Sequence, residues 1–125
     1  MFGIDRVIVG ASGSPGSLRA LHFGERLARV HGAVLMPVLA WDLAGGEGRS
    51  RLPPAGDLRR ACGERACQRL HGVLMAVWGE EPGDTRVQPH VERGPSGWVL
   101  VSLADRSGDV LVIGAGRRGR VARIA

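Results

Sequence analysis

The stretch Asp109-Val110-Leu111-Val112-Ile113-Gly114-Ala115-Gly116-Arg117-Arg118-Gly119 decides how this chain is read. A run of branched apolar residues ends abruptly in glycines. Such a run, bounded by turn residues, reads as a strand buried on both faces. The next segment, Arg120-Val121-Ala122-Arg123-Ile124-Ala125, reads as the start of a helix. Strand, glycine-rich turn and helix N-terminus form an arrangement that binds anions. The glycines let backbone N–H groups approach a phosphate, and the helix dipole adds to the attraction. A lone glycine turn is weak evidence, so the rest of the chain must supply its context.

The same pattern occurs near the N-terminus. Arg6-Val7-Ile8-Val9-Gly10 reads as a buried strand, and Ala11-Ser12-Gly13-Ser14-Pro15-Gly16-Ser17 is a turn cluster. Ser14 suits a helix N-cap with Pro15 in the first helical position; Ser17 is the alternative cap. The helix then runs from Pro15 or Leu18 to His31, with Ala20, Leu21, Gly24, Leu27 and Ala28 on one stripe and Gly32 as its stop. A second strand is expected over Ala33 to Ala40. Pro37 cannot donate to a ladder, which predicts a bulge or a locally unpaired position there. Residues 41–56 are a Gly- and Pro-rich loop, and Asp57 caps a helix over Leu58 to Trp78. A third strand is expected over Val87 to Glu92, and a third helix over Ser96 to Asp105. Trp98, Val101 and Leu103 or Ala104 supply the apolar face of that helix. Ser107-Gly108 then turns into Asp109.

Composition narrows the class. The 125 residues are 44% hydrophobic with a net charge of +5, enough for one domain with its own core. The longest apolar run, Ala33 to Trp41, contains Pro37 and is too short to span a bilayer. The N-terminus carries charge and no cleavage pattern. These features read as a soluble, cytoplasmic protein with no membrane partner. All 17 basic residues are Arg, with no Lys, Asn or Tyr, a bias that GC-rich coding DNA suffices to produce. The Arg residues are scattered, which argues against a nucleic-acid surface, although the charge favours anionic ligands. Cys62 and Cys67 fall on different faces of a helix, so neither a disulfide nor a metal pair is expected; both read as small, at least partly buried side chains. No catalytic triad, paired carboxylates or metal-ligand spacing is readable, so neither an active site nor a metal is predicted.

The element order β-α-β-α-β-α-β-α, with strands apolar throughout, predicts an α/β fold: an open parallel β-sheet with helices on both faces. Ligands bind such sheets beyond the carboxyl ends of strands, where the strand order reverses. If the first and fourth strands are neighbours at that point, both glycine turns face one crevice and two helix N-termini aim into it.

Arg6 to Ser17 (RVIVGASGSPGS), the helix after it, His90 to Gly94 with its following helix, and Asp105 to Gly119 (DRSGDVLVIGAGRRG) resemble the universal stress protein family over most of the chain. The resemblance implies a Rossmann-like, adenine nucleotide alpha hydrolase-like sheet of five parallel strands in the order 3-2-1-4-5, and a dimer. In one branch of the family it also implies ATP between the first and fourth strands. On this basis residues 1–125 are a single domain, incomplete at its C-terminal end, with the fifth strand missing. The edge of Val110 to Ile113 is then unpaired and calls for a homodimer or a paired chain to cover it.

Carried onto this sequence, the nucleotide contacts fall at Ala11, Ser12 and Gly13 in the first turn and at Val38 in the second strand. At the fourth strand they fall at Ile113, Gly114, Gly116, Arg117 and Gly119. The implied ligand is ATP or AMP. The implied role is a stress-response regulator with slow or no hydrolysis. Three departures bear on this. Ser12 stands where the ATP-binding branch has aspartate. Its pattern G-x2-G-x9-G-[S/T], started at Gly114, places Arg117 at the second glycine, whereas Gly116 and Gly119 satisfy G-x2-G two residues later. The later glycine and hydroxyl residue do not occur before Ala125. The alternative is a family member without nucleotide binding that acts as an interaction or dimerisation module. Trp41 and Trp98 are candidates either for stacking on a base or for packing at the rim.

Overall fold

Apolar runs of this kind bury their amides, and buried amides must find partners. In the computed structural model, which describes residues 3–41, 56–79, 84–115 and 118–123, they do so in a five-stranded sheet of order β3-β2-β1-β4-β5. The elements in chain order are β1 (Arg6–Gly10), α1 (Pro15–His31), β2 (Val34–Trp41), α2 (Gly56–Trp78), β3 (His90–Arg93), α3 (Ser96–Leu103), β4 (Asp109–Ala115) and β5 (Arg118–Arg123). β1 lies between β2 and β4, parallel to both, with Val7 opposite Leu35 and Val110. β3 pairs parallel to β2 at the far edge. The expected α/β class and the parallel sheet with helices on both faces are both present.

Strand alternation sorts the core into two layers. Val7, Val9, Leu35, Leu39, Val110 and Val112 pack with Ala20, Leu21, Ala28, Ala66 and Leu70 of α1 and α2. Ile8, Val38 and Leu111 face the other way, onto Val99, Leu100 and Ala104 of α3 and the residue after it. Burying each large aliphatic side chain contributes about 1.5–3 kcal/mol. α1 is closed at both ends as its sequence suggests. Ser14 is the N-cap, Pro15 opens the helix, and Gly32 caps the C-terminus at φ 63°. That left-handed conformation suits glycine, and it lets the Ala33 N–H reach the Ala28 carbonyl at 2.8 Å.

The C-terminal segment departs from expectation. Residues 120–123 form a strand and not a helix start; Ile124 and Ala125 lie outside the described residues. β5 runs antiparallel to β4, so Gly114 pairs with Gly119, and Val112 and Leu111 stand opposite Val121 and Ala122 in the ladder. The position beyond β4, expected to be empty, therefore holds an antiparallel β5. The β4 edge is covered by its own chain and calls for no partner.

Pro37 sits in a continuous β1–β2 register, opposite Val9, with no bulge. Its ring nitrogen points to the β3 side, as the neighbouring amides show. Leu35 N–H donates to the Arg86 carbonyl on that side, while the Val38 carbonyl accepts from Ala11 on the other. The β2–β3 ladder is interrupted at that place, between the Leu35–Val87 bridge and the Val38–His90 pair. The locally unpaired position is thus found, and β3 proper is shorter than expected because of it. Just before β3, buried Thr85 donates to buried Glu25 of α1 at 3.2 Å and ties the approach of the strand to the helix.

Two further expectations are corrected. In α3, Trp98 and Val101 are 66% and 57% exposed, whereas Val99, Leu100 and Ala104 are buried. The stretch Trp98 to Val101 is apolar all round, so periodicity cannot select its inner face. Cys67 is an exposed free thiol, next in sequence to buried Ala66. The side chain of Cys62 lies outside the described residues, as do residues 42–55 of the loop expected over 41–56; at its ends Trp41 closes β2 and Gly56 opens α2.

Candidate functional site

β1 and β4 are adjacent, and the sheet order reverses between them. At their carboxyl ends lies a crevice of about 180 Å³. Gly10, Ala11, Ser12, Ser14 and Ser17 line it from β1 and the turn after it. Val38 and Ala40 come from β2, Ser96 and Leu100 from α3, and Ile113 and Gly114 from β4. An apolar floor therefore carries a rim of serine hydroxyls.

The first turn is built by its own side chains. Ser14 Oγ accepts from the Ser17 N–H at 3.2 Å, and Ser17 Oγ accepts from the Gly13 N–H at 2.9 Å. Ser17 Oγ also donates to the Ser14 carbonyl at 2.9 Å, and Ser12 Oγ donates to Ser14 Oγ at 3.2 Å. These bonds occupy amides that a phosphate would otherwise take. Ser14→Ala is expected to cost about 1 kcal/mol of stability as a lost N-cap, read by urea denaturation. By contrast no side chain caps α3, whose N-cap is Pro95. Among the described residues no side-chain acceptor meets the first amides of α3, beginning at Ser96 on the crevice wall, as an anion site requires.

Gly114 makes the closest approach in the site. A Cβ placed there would run into the backbone of Gly16 and Ser17, so the end of β4 and the first turn of α1 lie directly on each other. Two helix N-termini do flank the crevice, but they belong to α1 and α3. The expected helix after β4 is the β5 hairpin.

Of the predicted contacts, Ala11, Ser12, Val38, Ile113 and Gly114 meet in the crevice. Gly13 does not line it, and its N–H is held by Ser17. Gly119 is a β5 residue paired with Gly114 and forms no phosphate loop. Gly116 and Arg117 lie outside the described residues. Neither Trp41 nor Trp98 lines the crevice: Trp41 packs with the α1–α2 core layer, and Trp98 is exposed. Sequence reasoning missed Ser14, Ser17 and Ser96. The Gly94-Pro95-Ser96 helix start was the available signal for Ser96.

The strongest electrostatic pair lies at the opposite end of the sheet. Arg6 donates to both carboxylate oxygens of Asp109, at 2.8 and 2.5 Å, and to the Leu103 carbonyl at 3.0 Å. The Arg106 N–H adds a bond to Asp109 at 3.0 Å. The bond to Asp109 raises the Arg6 pKa against the effect of burial. Burial pushes the Asp109 carboxyl up, but the bonds from Arg6 and Arg106 outweigh it and hold the pKa below the ordinary 3.8. This pair clamps the start of β1 to the start of β4, far from the crevice. Among the described residues, no three His, Cys, Asp or Glu converge as a metal site, and no helix is long and apolar enough to cross a membrane.

Two solved structures share this architecture. A solved member of the universal stress protein family from Burkholderia pseudomallei is 21% identical, with a TM-score of 0.58 over 89% of this chain and 81% of that one. Universal stress protein UspA from Lactobacillus plantarum is 14% identical, with a TM-score of 0.57 over 98% and 87%. A universal stress protein solved in complex with cAMP is 24% identical, with a TM-score of 0.48 over 82% of this chain. The chain spans 65% of that protein's length. No curated protein matches. The model of the universal stress protein family matches residues 3–125. With four parallel strands ordered about β1, a serine-bound turn after it and a family match over nearly its whole length, the chain belongs to the universal stress protein family.

Proposed function

We propose that the crevice between β1 and β4 binds an adenine nucleotide weakly and that the protein acts as a stress-response regulator without turnover. The observation that carries this reading is a hydroxyl-rimmed, apolar-floored crevice at the reversal of strand order, flanked by the N-termini of α1 and α3. Its volume of about 180 Å³ is below the usual 300–1,000 Å³ of ligand pockets. The crevice then encloses only part of a nucleotide, the base or the ribose, and leaves the phosphates near the uncapped amides of α3.

Two consequences are measurable by calorimetric titration. AMP and ATP bind within about fivefold of each other, because solvent-exposed charge contacts add under about 1 kcal/mol. Ser12→Asp, which supplies the carboxylate of the ATP-binding branch, tightens binding by roughly tenfold or more through a charge-assisted hydrogen bond. No heat and no thermal shift at millimolar nucleotide, in either protein, overturns the proposal. A second reading, an interaction or dimerisation module, is favoured by the small crevice and by Ser12 itself. It expects that silent titration together with concentration-dependent sedimentation.

A further inference from the structure

We propose that a cavity between α2 and β3 is a second ligand site, for a small aromatic molecule of about two rings that carries one hydrogen-bond donor, such as a phenol or an indole. The cavity has a volume of about 390 Å³, roughly twice that of the crevice. Leu70, Leu74 and Trp78 of α2 form one wall, and Val87, Pro89 and Val91 form the other. Val87 and Pro89 of the second wall fall where the β2–β3 ladder is interrupted, ahead of β3.

Size and polarity select the occupant. An apolar cavity of about 150 Å³ holds one benzene ring, so this one accommodates a fused pair. Trp78 makes an edge-on contact with His22, at 6.2 Å between ring centroids and 74° between planes, and lines the cavity as its aromatic wall. The polar lining is sparse and includes His71 and His90. His90 Nε2 lies 3.2 Å from Glu92 Oε1. With Nε2 taken up by that carboxylate, Nδ1 is the ring nitrogen left for a ligand O–H or N–H, a contact that a bare hydrocarbon cannot make. The two sites share no lining residue, so this one is independent of the crevice.

The test uses the whole chain with 2-naphthol and naphthalene as probes. Exposed Cys67 also lines the cavity. Saturating 2-naphthol is expected to slow its alkylation by iodoacetamide roughly tenfold by excluding the reagent from the thiol, read by peptide mass spectrometry. In titrations, 2-naphthol binds roughly fivefold tighter than naphthalene, the worth of one hydrogen bond. His90→Leu erases that difference and keeps naphthalene binding. Leu74→Trp fills the cavity and abolishes both. If that variant does not fold, intermolecular NOEs from 2-naphthol to Trp78 and Val91 in the wild type decide the same question. Unprotected Cys67 with no such NOEs overturns the site, and equal binding of the two probes overturns the donor requirement.

Discussion

Replacing Asp109 with alanine is expected to lower the unfolding free energy by about 3–5 kcal/mol, the usual cost of removing one partner of a buried ion pair. Asp109 is fully buried and the Arg6 side chain is only 14% exposed. The variant leaves a guanidinium inside the protein with the Leu103 carbonyl and the exposed Asp105 as its remaining partners. An exposed ion pair contributes little, so Asp105 does not replace the loss. Against a typical domain stability of about 5–15 kcal/mol, the change is large. Urea denaturation at pH 7 checks it.

The same pair sets a pH dependence. The folded-state pKa of Asp109 lies below its ordinary value of 3.8, so its stabilisation is fully present above that value. It is lost as pH falls through the lowered folded pKa. The gap between wild type and Asp109→Ala should therefore narrow as urea titrations are moved from pH 7 to below about pH 4, in the unperturbed carboxylate range. A gap that stays constant with pH would show that Asp109 acts through packing and not through charge.

The second large effect is expected at Gly114. Gly114→Ala should cost at least about 2 kcal/mol, toward the upper part of the overpacking range, and should abolish nucleotide binding. The added Cβ meets the backbone of Gly16 and Ser17, and backbone cannot rotate away as a side chain can. Either β4 shifts from its register or the first turn of α1 lifts, and the Ser14–Ser17 cap goes with it. Gly97→Ala in α3 is the control of opposite sign. Nothing lies within 4 Å of a Cβ there, so it should stabilise by about 0.5–1 kcal/mol, as alanine does in a helix. Thermal and urea melts of the two variants distinguish a local collision from a general intolerance of glycine replacement.

Much of the fold was legible because short-range signals agreed with one another. Ser14, Pro15 and Gly32 bracket α1 by chemistry that acts within a few residues. The apolar strands around Val7 to Val9 and Val110 to Val112 admit little besides a covered parallel sheet. β5 was not legible. The sequence from Arg120 to Arg123 has no strong local preference, and its state is set by pairing with β4, most directly Val121 with Val112. In α3, an apolar run hid which side faces inward until the sheet chose Val99 and Leu100.

The crevice was legible in part for the same reason. Ala11, Ser12, Val38, Ile113 and Gly114 follow from strand order alone, since each sits at or near the carboxyl end of its strand. Ser96 depends on where α3 crosses the sheet, which no local pattern records. Gly119 was misplaced because a glycine-rich turn after a strand serves a hairpin as readily as a phosphate loop.

The most direct measurement is a nitrogen-15 correlation spectrum of the full chain titrated with AMP. The expected result is a set of shifts confined to Gly10, Ala11, Ser12, Ser14, Ser96 and Gly114, with the α2–β3 residues unmoved. Shifts centred elsewhere, or none at millimolar AMP, would contradict the assignment of the crevice as a nucleotide site.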